Sequence, residues 1–351
     1  MENVFMKPSK FISLVFMILS FFFLSTFVMA QDYAVMEIGN KNVKLVVAHI
    51  DENGYQQLLP AKDDKGMEKK WKKKLDLGDE FNFVGQSLSD KKIDELKTTM
   101  SSQVEQLRKS IFKDLTVHVY VSGMLAVASE ESKTHIKEIC HELSLELSWS
   151  DESDQEKLDF LSVTHGKSGQ LVMDAKKDSM NLSMQSKDDT FLSKKLDKLG
   201  FKSLFKKYIQ KSEHFSSAQD NLLQSSEFSS LKEWTTHLSE AQNIYVLGDS
   251  QLAQFISGKS KLVVDEQTHL SSGLIVTRAE LDQKINELKN MSAKEFKQMI
   301  KNKDSEEQSF ELEKVLPLLI VYSQILELSG QGQVIFVERS TAEGIVYRLA
   351  Q

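Results

Sequence analysis

Apolar side chains dominate residues 33–36 and 43–50, and between these runs stands the turn-rich tetrad Gly39-Asn40-Lys41-Asn42. That pattern predicts a β-hairpin. A third strand is expected over 55–59, followed by a charged stretch, 62–74, read as an exposed loop or sheet edge. Ser89 suits the N-cap of a helix in which Ile93, Leu96, Met100, Val104, Leu107 and Ile111 step by three and four along one face. A short strand over 117–121 ends at Ser122-Gly123, a helix starting at Met124 or Ser132 runs to Leu143, and 145–149 is another strand.

The second half opens in the same way. Strands over 170–174 and 180–184 flank Lys176-Lys177-Asp178-Ser179. Glu37 and Asp174 each close a first strand, and eight residues later come Leu45 and Leu182, the mark of a duplicated lobe. Residues 187–240 are rich in Ser and Lys and helical in pattern. A strand over 243–247, helices over 278–288, 292–300 and 311–328 (the last interrupted by Pro317), a strand over 333–337 and a closing helix over 341–349 complete the chain. Strands and helices interleave throughout, so the expected class is α/β.

The amino terminus reads differently. Lys7 and Lys10 precede an uncharged apolar and hydroxyl run, 11–28, which gives way to Val28-Met29-Ala30 and then to polar Gln31-Asp32. This order is that of a secretory signal, residues 1–30, and predicts an exported body, periplasmic or secreted. The run is also just long enough for a retained anchor, the alternative reading and the one expected route to a membrane. The 321 residues that follow Ala30 suffice for two lobes with separate cores. Removing residues 1–30 takes the net charge from −7 to −8, which argues against a nucleic-acid partner. The single cysteine, Cys140, cannot form an internal disulfide and is read as a buried small hydrophobe; no Cys/His spacing suits a metal. Lys69-Lys70-Trp71-Lys72-Lys73-Lys74 is read as a solvated run whose Trp packs back, with contact to a polyanion as the sharper alternative. His118, His135 and His165 have no carboxylate partner at a recognisable spacing, Asp151-Glu152-Ser153-Asp154 reads as an acidic turn, and Trp149 and Trp234 as packing residues.

Residues 33–47, Tyr-Ala-Val-Met-Glu-Ile-Gly-Asn-Lys-Asn-Val-Lys-Leu-Val-Val, resemble the opening of the exopolyphosphatase / guanosine pentaphosphate phosphohydrolase (Ppx/GppA) family. There a strand, an acid, a Gly-Ser/Thr-Asn-Ser phosphate turn and a second strand follow one another. Further landmarks fall in the family's order: Leu77-Gly78, Gly85 and Leu88-Ser89 before the first long helix, 119–128 at an Ala-Thr-Ser-Ala segment, 147–163 at a Glu-Glu-Ala-Arg segment, 171–184 at a triple-glycine hairpin, and Glu343-Gly344 at a closing Arg-Glu-Gly. The resemblance implies a two-lobed actin/hexokinase/Hsp70-like (ribonuclease H-like) fold with an inter-lobe cleft. The lobes are expected over 31–148 and 149–351, with the last helix crossing back.

The same resemblance implies where phosphate chemistry would sit, and this sequence departs from it there. The first phosphate turn keeps Gly39 and Asn42 but has Asn40 and Lys41 in place of hydroxyl residues. The second has Ala175, Lys176, Lys177 and Asp178 where glycines would stand, with Ser179 retained. Glycine lets such a turn curl into a nest of N–H donors, and lysine does not. The family's general base falls on Gln155, or on Glu156 if the alignment slips by one, and an amide cannot take a proton near neutral pH. Positions of family arginines read Asp76, Leu125 and Ala342. Glu37 and Asp174 remain as cleft acids. The expectation is a catalytically degenerate, exported binding or interaction module, its partner an unidentified protein or anionic ligand; the alternative is a phosphoanhydride or phosphate-ester hydrolase. No cofactor is expected, with Mg²⁺ entering only under the hydrolase reading.

Overall fold

The hairpin pattern folds twice, in one register. The computed structural model describes residues 31–51, 54–59, 71–80, 85–248, 250–258, 263–265, 270–292, 294, 295, 298 and 312–351, so the predicted signal and, of the charged stretch, residues 62–70 with Lys69 and Lys70 of the lysine run lie outside the described residues. β1 (Gln31–Ile38) and β2 (Asn42–Asp51) pair antiparallel, with Glu37 opposite Lys44 and Met36 opposite Leu45. β3 (Gly54–Leu59) and the short β4 (Lys72–Lys74) both pair with β2. After α1 (Asp90–Arg108), β5 (Val117–Val121) joins β1 in parallel, and after α2 (Glu130–Glu142), β6 (Glu146–Trp149) joins β5 in parallel. The main order of this first sheet is β3-β2-β1-β5-β6.

α3 (Glu152–Thr164) leads into the second sheet. β7 (Gln170–Ala175) and β8 (Ser179–Gln185) form the second hairpin, with Asp174 opposite Asn181 and Met173 opposite Leu182. This is the register of the first hairpin residue for residue. β9 (Phe191–Asp197) pairs with β8. The short helices α4 (Phe201–Leu204), α5 (Phe215–Leu223), α6 (Ser226–Lys232) and α7 (Thr235–Glu240) then lead to β10 (Asn243–Leu247), which joins β7 in parallel. α8 (Ser250–Ser257), β11 (Val263–Asp265), β12 (Leu270–Thr277), α9 (Arg278–Leu288), α10 (Leu312–Ser329), β13 (Gln333–Val337) and α11 (Thr341–Ala350) follow. The second sheet runs β11-β12-β13-β10-β7-β8-β9, so β9-β8-β7-β10-β13 repeats the first sheet's order.

Each sheet is packed on both faces. On one face of the first, Met36, Leu45 and Val119 meet Leu96 and Met100 of α1 and Ile136 and Cys140 of α2. On the other, Val35, Val46 and Ala48 meet Ala342, Ile345 and Val346 of α11, joined by Leu158 and Leu161 of α3. The second sheet packs Leu171, Met173 and Leu182 against Leu318, Leu319 and Tyr322 of α10, and Val172, Tyr245 and Ile335 against Phe160 and Val163 of α3. Side chains alternate faces along a strand, which is how each strand serves two cores. α3 and α11 therefore lie between the sheets, touching each other.

The departures from the sequence pattern are local. α1 stops at Arg108, where Lys109 N–H returns to Glu105 O and Ser110 Oγ donates to Leu107 O; Ile111 falls beyond it, 89% exposed, not on the apolar face. Within the helical-looking 187–240, β9 is a strand, because an edge strand buries only part of its side chains and tolerates Ser and Lys. The helix expected from Met124 or Ser132 is split: a 3₁₀ turn spans Gly123–Val127, and α2 starts afresh after Ser129, whose hydroxyl accepts Ser132 N–H. His118 does meet a carboxylate, Glu146 Oε2 at 3.0 Å, and His135 lies 3.4 Å from Glu138 Oε2. Asp151 caps α3 by accepting Asp154 N–H, and Asp154 pairs with Arg348, which accounts for the acidic turn. Cys140 is buried and burial pushes its thiol up to about 11.

Candidate functional site

In open α/β sheets, sites form beyond the carboxyl ends of the parallel strands. Here Glu37 is the last residue but one of β1 and Asp174 the last but one of β7, one in each sheet. Asp174 shares a face with Val172, which packs on α3, so its carboxylate points toward that helix. Asp159 of α3 lies close enough to feel the charges of both Asp174 and Glu37. Thr341, the first residue of α11, brings its Oγ1 to 2.8 Å from Asp159 Oδ1, and its hydroxyl and the Ala342 N–H lie near enough to Glu37 to favour that carboxyl's charged form. Glu343 accepts from Lys44 Nζ at 2.9 Å and from Ser340, and Lys44 reaches Ser340 Oγ at 3.0 Å. Lys176 Nζ stands 3.4 Å from Asp174 Oδ2. Four carboxyl groups, from β1, α3, β7 and α11, thus meet two ammonium groups at one junction.

The electrostatics follow from burial. Burial raises Glu37 above the ordinary glutamate range, with Lys44 opposing and Glu343 adding to the rise. Burial, then the charge of Asp174, pushes Asp159 well above the ordinary aspartate range against the pull of Thr341 and Lys176. Burial acts to raise Glu343 too, but Lys44, Ser340 and Arg339 outweigh it and hold that carboxyl low.

The two turns behave differently. In the first, Gly39 N–H closes on Asn42 O, while Asn40 O and Lys41 O accept N–H groups from Gly78, Leu75 and Asp76; the Lys41 side chain is exposed. The second is roofed by its own chain. Lys176 N–H closes on Ser179 O, and Lys176 O, Lys177 O and Asp178 O accept from Phe201, Lys202 and Lys198 N–H. Gly200 lies flat on it: a Cβ there would fall 2.3 Å from the backbone nitrogens of Asp178 and Ser179. Ser203 Oγ donates to Asp178 Oδ1, and Ser179 is buried. Gly200 thus packs on the nitrogens of Asp178 and Ser179, and the Lys176 N–H is closed on Ser179 O, whereas a phosphate nest needs its N–H groups open.

The remaining sequence-derived positions are resolved on α3. Glu156 is 7% exposed and shares the helix face of Phe160 and Val163, toward the second sheet. Gln155 is half-buried one turn before Asp159, four residues apart on one face. Asp159 and Thr341 were not singled out from the sequence, and Glu343 only as part of the closing Glu343-Gly344 landmark. The Ser340-to-Glu343 spacing of a capping box, observed at α11, was the available signal for the last. Among the described residues no group of three or more His, Cys, Asp or Glu is arranged to hold a metal ion. The cleft as built does not fit Mg²⁺, since lysine ammonium groups already stand on Asp174 and Glu343.

No protein-family model and no curated protein matches the sequence. Solved structures do match the fold. A Ppx/GppA family member of Aquifex aeolicus superposes with a TM-score of 0.64 at 15% identity, covering 91% of this chain and 97% of that one. The type II variant of the Aquifex aeolicus Ppx/GppA phosphatase gives 0.65 at 14% identity, covering 91% and 99%. An exopolyphosphatase from Cytophaga hutchinsonii gives 0.60 at 13% identity, covering 91% and 98%. Over nearly its whole length, then, this chain carries the two-lobed, actin-like fold of the Ppx/GppA phosphatases.

Proposed function

We propose that this chain is an exported, catalytically degenerate counterpart of the Ppx/GppA phosphatases, dividing into lobes near residue 148 and acting as a binding or interaction module. The observation that carries this reading is the roofed second turn, where Gly200 and the start of α4 pack on the backbone of Lys176, Lys177 and Asp178, the positions the resemblance gives to a phosphate turn. Two further features support it. Gln155 stands at the position the resemblance gives to the general base, and loss of such a base costs ~10²–10⁴ in rate. An acid-rich junction also disfavours a polyanion, and losing a donor that stabilises developing charge costs ~10²–10³ more. The purified protein is expected to release no phosphate from polyphosphate, guanosine pentaphosphate or ATP above background with Mg²⁺ present, and Gln155→Glu alone is not expected to restore turnover while the roof remains.

A second reading, hydrolysis with a displaced base, has one observation in its favour: Asp159 places a carboxyl at the junction one helical turn beyond Gln155, on the same face. Clear turnover lost in Asp159→Asn but kept in Glu156→Gln would establish it and overturn the first.

A further inference from the structure

At the amino ends of β10 and β13 lies a cavity of about 320 Å³. That is the small end of the about 300–1,000 Å³ that ligand sites span. Asn243 of β10 stands opposite Gln170, the first residue of β7, so the cavity is four residues, about 13 Å, from Asp174 and away from the cleft. Four side-chain amides line it, from Gln242, Asn243, Gln331 and Gln333. The chain has 44 basic and 51 acidic residues, yet among the described residues no charged side chain lines this cavity. Arg278, whose backbone N–H holds Gly332 O at 2.8 Å, pairs its guanidinium with Asp282 and Glu327. Two of the amides are fixed. Gln331 Nε2 donates to Ala241 O at 2.7 Å and Asn243 Nδ2 to Gln170 Oε1 at 3.0 Å, which leaves their carbonyl oxygens as held acceptors. Gln242 and Gln333 are exposed and add donors and acceptors that can turn toward a ligand.

Gly332 gives an independent sign. A glycine is needed where φ is positive or where another group approaches closely. Gly332 meets neither condition: its φ lies outside the left-handed region, and a Cβ there would meet nothing within 4 Å. What its missing side chain does is keep the cavity open. The floor offers almost no apolar surface, since Ile244 and Ile335 are 1% and 4% exposed. A matching ligand is therefore uncharged, donates and accepts at several points, and has little apolar surface to bury. A hydroxyl donates and accepts at one atom, and a compact ring carrying several of them is a sugar. We propose that this cavity binds a neutral sugar unit. A phosphate or carboxylate would find no cation in it, and the apolar side chains of a peptide would find nothing to pack on. The inference rests on the amino end of the second sheet and is independent of what the cleft binds or hydrolyses.

Saturation-transfer NMR on the purified chain tests it, with glucose, N-acetylglucosamine and cellobiose as probes at about 10 mM, tenfold above a Kd of about 1 mM. Transfer to at least one of these sugars is expected. Gly332→Phe should fill the cavity and abolish the transfer while leaving the thermal melt in place, because the backbone there admits a side chain. Replacing Gln242 and Gln333 together by alanine should weaken binding about fivefold or more through the lost hydrogen bonds. Both positions are exposed, so this double variant carries the test if Gly332→Phe fails to fold. No transfer to any of the three sugars would overturn the proposal. So would transfer that survives both variants, or equal transfer to N-acetylglycinamide, which would make this a peptide site.

Discussion

Gly344 is set by a neighbour rather than by its own helix. A Cβ at this position would lie 1.9 Å from Leu158 O, so α3 and α11 can touch only where one of them has no side chain. Gly344→Ala must push two packed helices apart, an overpacking change of about 3 kcal/mol, and should lower Tm by roughly 5 °C or more. A thermal melt that leaves Tm unchanged would mean that the helices do not meet there. The same logic explains Gly200, which makes its close approach to a β-turn instead of a helix. Neither glycine has positive φ, so the cause in both cases is space and not backbone conformation.

At the scale of elements, one staple lies away from the cleft. The π-helical turn Phe205–Ile209 follows α4, and its Lys207 and Tyr208 both reach Glu227 of α6, at 2.5 and 2.6 Å. Burial works against the Glu227 charge, but these hydrogen bonds outweigh it and bring the carboxyl down to about 2. A depressed acid stabilises the fold above its unfolded pKa and loses that contribution as pH falls through the folded one. The staple should therefore weaken between pH 4.5 and about 2. Urea melts across this window should show a smaller loss of stability in Glu227→Gln than in the wild type, whose melts should begin from a higher midpoint near neutrality. Equal slopes would show that the staple adds nothing. α11 shows the same economy of contact, its capping box using Glu343, the very residue that holds Lys44.

For the whole molecule, the two sheets are joined chiefly through α3 and α11, so the strand order repeats while the joining helices do not. β1 begins at Gln31, immediately after Ala30, the predicted cleavage site. A mature chain starting near Gln31 would keep every described residue of the first sheet, and intact-mass measurement of native protein should find that terminus. A chain retaining Met1 in the cytosol would remove the case for export.

The sequence by itself determined the hairpins, because acid, turn and leucine recur at one spacing and strand side chains alternate with a fixed period; Glu37 and Asp174 were legible as equivalent positions for that reason. It also determined α9 almost to the residue, since Thr277 and Glu280 form a capping box before an amphipathic run. The break between the 3₁₀ turn and α2 could not be chosen from local pattern, and β9 hid in a polar stretch, because an edge strand needs few apolar side chains. Only the tertiary structure decided the chemistry of the junction. Asp159 and Thr341 are 182 residues apart and carry no local signal of each other. The roof over Lys176-Lys177-Asp178 depends on a backbone approach at Gly200 that no side-chain pattern records. Local pattern fixes which face a residue takes on its own element; burial, long-range hydrogen bonds and closed turns arise only when separate elements are brought against one another.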